Sequence, residues 1–193
     1  MKLTLDDIAD LRAYEREREE FRERVIALKR VRRVPVGPIV TLVFENRDTV
    51  RFQIQEMARA EKLITDEQIR TELDVYNPLI PEPGQLSATL FVELTSDEQL
   101  REWLPKLVGI ERAVELRIGH RVVGCVPEEQ HAQQLTREEI TASVHYVRFE
   151  LTPEEVAAFE AEPVTLAVAH PAYNEATPLS DVTKQSLSAD LHG

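Results

Sequence analysis

The most coherent chemistry in this sequence sits in Asn46-Arg-Asp-Thr-Val-Arg-Phe-Gln-Ile-Gln-Glu-Met-Ala-Arg, which follows a strand pattern and opens a helix pattern. Arg51, Gln55, Arg59 and Lys62 recur there at three- and four-residue steps, so they share one helix face, with Arg47 just ahead. First-turn amides have no intrahelical partner, and Arg forks onto carboxylate or phosphate oxygens. A strand-to-helix junction with nearby arginines is therefore a sensible anion site. Arg47, Arg51, Gln55 and Arg59 are the candidate ligand-binding residues, for a carboxylate, a phosphate or an acidic partner loop. With Glu56 and Glu61 alongside, the same stripe also reads as an ordinary solvated helix face.

The other reactive side chains are dispersed. Cys125 is the only Cys, so no disulfide and no all-Cys zinc or iron–sulfur site forms within the chain. It shares strand parity with Val123, which turns it inward as a small core side chain rather than a thiolate. His120, His131, His145, His170 and His192 form no H-x-H, H-x-x-x-H or C-x-x-C pairing, so neither a metal nor a cofactor is expected. His145 has the parity of Val147 and Phe149, and His170 that of Leu166 and Val168. Both should point inward, and strand order decides whether they meet. Tyr76 and Asn77, in the Pro-rich connector Asp74–Gly84, either line a pocket or hold an ordered loop. Phosphate-binding glycine loops and the G-x-S-x-G elbow do not occur.

Charge narrows the partners. The 193 residues carry 23 Lys+Arg against 35 Asp+Glu, a net −12, which makes a poor nucleic-acid binder because duplex affinity rests on cation–phosphate contacts. The balance is uneven, +2 over residues 1–62 and −14 over residues 63–193. Arg22, Arg24, Lys29, Arg30, Arg32 and Arg33 crowd one helix end, where they complement its dipole or meet an acidic surface, another copy's acidic half included. The longest apolar run, Val34–Phe44, is broken by Pro35, Gly37, Pro38 and Thr41, far short of the ~20 residues of a spanning helix. With no secretory pattern at the acidic N-terminus, a cytoplasmic location is expected.

Several elements are strongly marked. Thr65, Thr95, Thr136 and Thr152 each precede Glu or Gln by three residues, the capping-box spacing, although the Thr136 box could open only a turn. Residues 1–33 read as a long N-terminal helix that begins after Thr4 and runs to about Val31, polar at its centre and so suited to a second subunit or a partner. Alternating segments at Ile39–Glu45, Leu86–Leu94, Val114–Ile118, the return from the Gly119-His120 turn, Val144–Leu151 and Val164–Val168 read as strands. The expectation is one domain over residues 1–193, of α+β class: a mostly antiparallel sheet of five or six strands with helices packed on one side and a long N-terminal helix.

FENRDTVRFQIQEMARAEKLITDEQI, ELDVYNPLIPEPGQLSATLFVEL and REWLPKLVGIER resemble a bacterial family of uncharacterised proteins, the domain of unknown function numbered three thousand five hundred and one. The likeness runs from the opening MKLTLDDIADLRAYEREREEF to HPAYNEATPLS. Genes of that family often lie beside those for rubrerythrin-like proteins and for iron–sulfur oxidoreductases related to heterodisulfide reductase. The resemblance therefore implies a place near peroxide or thiol–disulfide chemistry, and supplies no catalytic residues. The leading expectation is a non-catalytic accessory or interaction protein of a cytoplasmic redox system, with an iron–sulfur oxidoreductase or rubrerythrin-like partner and a homodimer as a further contact. The alternative is an enzyme or binding protein for a small anionic molecule. There Arg51 and Arg59 would hold the anion while His145, Tyr146 or Glu56 moves a proton, with a metal-dependent form if His145 and His170 meet a carboxylate.

Overall fold

The structure, a computed structural model, describes residues 1–128 and 140–193. Its strands are β1 (Arg33–Val36), β2 (Val40–Glu45), β3 (Gln85–Val92), β4 (Val114–Ile118), β5 (Arg121–Pro127), β6 (Val144–Glu150), β7 (Val164–His170) and β8 (Tyr173–Pro178). They form one sheet in the order β1-β2-β3-β6-β5-β4-β7-β8, antiparallel at every pairing. The sheet curls until its two edges meet. Tyr173 Oη of β8 donates to the Val36 carbonyl of β1 at 2.6 Å, and Thr177 Oγ1 donates to the Pro35 carbonyl at 2.7 Å. Pro35 has no N–H to give a ladder, so side chains hold this seam.

The core fills the resulting near-barrel. Leu42, Phe44, Leu86, Leu90, Leu116, Phe149 and Leu166 are fully buried inside it, each such burial contributing about 1.5–3 kcal/mol. Helices stop both ends. At one, α4 (Asp97–Trp103) and the turn after it supply Trp103, Leu107 and Ile110. At the other, α5 (Pro153–Ala161) and α6 (Asp181–His192) supply Phe159, Leu187 and Leu191.

Outside the barrel wall lie α1 (Leu11–Arg32), α2 (Arg47–Glu61) and α3 (Asp66–Tyr76). Val50, Ile54, Leu73 and Leu79 build a second apolar cluster against Leu3 and Tyr146. Tyr14, Phe21 and Val25 of α1 build a third against Phe52 of α2. This outer layer explains why all six residues of β2 are buried, on both faces. At the end of α1, Arg32 is buried with Asp190 in a two-armed ion pair of 2.7 and 2.9 Å, and also donates to the Ser186 carbonyl and hydroxyl.

The expected architecture needs correction. There are eight strands rather than five or six, and the sheet is nearly closed on itself, with six α-helices among the described residues, so helices on one side of an open sheet is not the arrangement. The two strands missed are β1 and β8, the pair that forms the seam. The N-terminal helix also starts later than expected. Thr4 and Asp7 cap a single 3-10 turn, Leu5–Asp7, and α1 begins at Leu11 with Asp10 as its cap. Thr65 and Thr152 do cap α3 and α5, whereas Ser96 rather than Thr95 caps α4. The Thr136 box lies outside the described residues.

Candidate functional site

The arginine stripe forms because Asn46 accepts from the amides of Asp48 and Thr49 and starts α2 directly after β2. All four residues fall on one face, and that face is turned to the N-terminal segment. Arg47 pairs with Asp7. Arg51 Nε donates to the Asp7 carbonyl at 2.7 Å, its Nη2 meets Glu17 Oε1 at 2.7 Å, and its guanidinium lies 4.7 Å from the Phe21 ring centre. Gln55, fully buried, accepts from Ala9 N at 2.7 Å and donates to Ala9 O at 3.1 Å. Arg59 pairs with Glu15. The Thr4 amide, and next the Arg47 side chain, hold the Asp7 carboxyl below the usual carboxylate range. An anion approaching this stripe meets cations that already have carboxylates.

Asn77 repeats the device that Gln55 uses. Its side-chain amide accepts from Leu3 N and donates to Leu3 O, both at 2.9 Å. The two amides thus clasp the backbone at residues 3 and 9, on either side of the Leu5–Asp7 turn.

Of the proton-transfer candidates only Glu56 lies beside the stripe, where Arg59 also acts on it, and it is already engaged. Glu56 accepts from Tyr14 Oη at 2.7 Å and from both arms of Arg18; Arg18 first, then Tyr14, hold it below its ordinary range. His145 is buried on the inner face, its Nε2 2.9 Å from both Thr141 Oγ1 and the Ala142 carbonyl. The carbonyl fixes the proton on Nε2, and burial pushes the imidazole pKa down against the opposing pull of Glu111. His170 donates from Nε2 to the Val108 carbonyl at 3.0 Å and accepts at Nδ1 from Ala172 N. The order of the sheet separates their strands, β6 and β7, by two others. Among the described residues no three His, Cys, Asp or Glu side chains are grouped to hold a metal. His131 lies outside them.

Cys125 is half-buried, donates to the Glu111 carbonyl at 3.2 Å, and burial pushes its thiol up to about 11. It is a thiol, not a thiolate, at neutral pH. Beside it Glu111 is buried, and its Oε2 is a buried side-chain oxygen without a hydrogen-bond partner among the described residues.

A cleft of about 210 Å3 lies between the barrel wall and the outer helices; Tyr76 lines it, as one of its two readings allowed, while Asn77 does not. Glu45, at the end of β2, forms part of its lining with Thr89 of β3, which donates to Glu45 Oε1 at 2.6 Å. Tyr146 of β6, directly opposite Thr89 in the ladder, Tyr76, Gln53 and Lys29 complete the polar lining. Burial raises the hydroxyl pKa of Tyr76 and Tyr146, and for Tyr146 the nearby Tyr76 and Glu45 add to it. A further signal was a Glu ending the run Val40-Thr-Leu-Val-Phe-Glu, a charge on a strand covered on both sides.

The chain is similar over 99% of its length to the whole of a chain from Burkholderia pseudomallei K96243, described as a novel protein of unknown function, with 38% identity and a TM-score of 0.91. No curated protein matches it. The profile of a family described as "Protein of unknown function (DUF3501)" matches residues 2–191, and the chain belongs to that family.

Proposed function

We propose that this protein is a non-catalytic accessory protein of a cytoplasmic redox system and that it binds its partner through the outer line of α1. The supporting observation is how little of that helix the fold uses. Of its 22 residues only Tyr14, Phe21, Val25 and Arg32 are buried. The inner line is spent on α2, β2 and α6. On the outer line Arg22, Ile26 and Arg30 follow at one-turn spacing; Ile26 is 42% exposed, and both arginines are exposed without an ion pair among the described residues. An apolar residue between two unpaired guanidiniums suits an acidic protein surface with a small apolar notch. The family resemblance supplies the partner class, an iron–sulfur oxidoreductase or a rubrerythrin-like protein encoded nearby.

The test is affinity capture from the native cell with wild-type protein and with the Arg22→Glu/Arg30→Glu variant. Wild-type protein should retain one of these redox proteins and the variant should lose it. Equal recovery by both, or recovery of neither redox protein, contradicts the reading. The competing occupant is a second copy of the chain, which sedimentation of the purified protein alone reveals. The small-anion reading requires Arg47, Arg51 and Arg59 to release Asp7, Glu17 and Glu15, so phosphate binding that tightens when Glu15 and Glu17 become Gln would favour it.

A further inference from the structure

We propose that the cleft beside Glu45 binds a small zwitterion, an α-amino acid or a molecule of similar size with one ammonium and one carboxylate group. Two opposite charges line this space without reaching each other. Glu45 is only 8% exposed and has the Thr89 hydroxyl on one oxygen; Arg32 reaches its backbone carbonyl at 3.4 Å, but no cation pairs with its carboxylate among the described residues. Lys29, half-buried in the last turns of α1, has neither an ion pair nor a hydrogen bond there. Both border the same cleft. A buried carboxylate with no counter-ion is costly, and the surrounding protein ordinarily supplies one. Here it supplies one across a gap.

The rest of the lining fits the same ligand. Tyr76, Tyr146 and Phe91 border the cleft, aromatic neighbours that suit an ammonium group, although Phe91 already has the Arg33 guanidinium 5.9 Å from its ring centre. Val50, Leu79 and Val144 offer apolar surface to a short side chain. With their hydroxyl pKa values raised, the two tyrosines remain neutral at physiological pH, so neither opposes a bound carboxylate with a phenolate charge. At about 210 Å3 the cleft is below the ~300 Å3 where sites for drug-sized ligands begin, so the occupant is small. Glu45, the more deeply buried charge, takes the ammonium, and Lys29 takes the carboxylate. None of this depends on the outer line of α1, which carries the proposed partner contact.

The experiment is calorimetric titration of the full chain with glycine, leucine, phenylalanine and glutamate, and with two analogues of leucine, isopentylamine and 4-methylpentanoate. At least one amino acid should bind, more tightly than either analogue. Glu45→Gln should weaken it by about tenfold or more, as should Lys29→Met. Glu45→Gln should also weaken the amine but not the acid, and Lys29→Met the reverse. Absence of heat from every amino acid at ~10 mM overturns the proposal, as does an analogue that binds as well as its amino acid, or affinity unchanged by Lys29→Met. Lys29 has no ion pair or hydrogen bond among the described residues to lose, and Met keeps its unbranched stem, so the test stands even if Glu45→Gln fails to fold.

Discussion

Single side chains here do structural work that their types would equally allow at a ligand site. Gln55 is the clearest case. Its amide answers both backbone groups of Ala9, and removing it leaves two polar groups to find water in a partly covered crevice. Gln55→Ala should cost about 1–3 kcal/mol in urea unfolding, with faster hydrogen exchange at the Ala9 amide; unchanged exchange there would mean that the clasp does not hold the segment. His145 carries a pH dependence. Its folded-state pKa is depressed by burial, so the unfolded chain takes up the proton first as pH falls. The stabilisation is present above the ordinary histidine value near 6.5 and is lost as pH drops toward and through the folded value. Against wild type, His145→Gln should therefore show a shallower loss of stability between pH 7 and 5, followed by urea midpoints. Parallel curves would contradict it. The inward thiol of Cys125 was legible from strand parity, because parity is local. The engagement of the arginine stripe was not, since Asp7, Glu15 and Glu17 are separated from their partners by more than thirty residues.

At the scale of elements, legibility follows how much each segment depends on distant neighbours. The Gly119-His120 hairpin pairs Leu116 with Val123 as alternation and loop length require. β1 and β8 were not readable because a Pro interrupts one and only Tyr173 of the other is buried. They are strands because each pairs in register with its inner neighbour, β1 with β2 and β8 with β7. The start of α1 was misplaced for a similar reason, since the apolar spacing of Leu5, Ile8 and Leu11 is helical, whereas Asp10 caps α1 and the distant Asn77 and Gln55 clasp the backbone ahead of it. The seam makes its own prediction. Gly37 has φ +71°, and an added Cβ would collide with Tyr173 Oη and the Glu175 side chain. Gly37→Ala should cost about 2 kcal/mol or more, combining left-handed strain with displacement of Tyr173. Trp103, the only Trp, stands edge-on to Tyr173 at 6.2 Å, so its fluorescence should shift in the variant. Wild-type stability and emission would show that the seam does not need the glycine.

For the whole molecule, the near-closed sheet buries the barrel interior, and both proposed contacts lie on its outside. One wall carries three helices, a clasped N-terminal strip and the Glu45 cleft, and the outer line of α1 faces away from all of them. No helix among the described residues is long and apolar enough to cross a membrane. The net charge of −12 does not prevent an acidic partner from docking at Arg22 and Arg30, because salt screens charges beyond ~8 Å at physiological ionic strength. What composition and pattern conveyed at this scale was the mix of strands and helices and the concentration of cations near the N-terminus. Closure of the sheet stayed hidden because it is a property of eight strands together. The account stands or falls on a binding curve between the purified protein and the purified iron–sulfur oxidoreductase or rubrerythrin-like protein of the same cell, recorded at low and high salt. It predicts micromolar affinity that falls with salt and drops about tenfold or more in Arg22→Glu/Arg30→Glu. Partners that ignore each other at ~100 µM, or that bind the charge-reversed variant equally well, would contradict it.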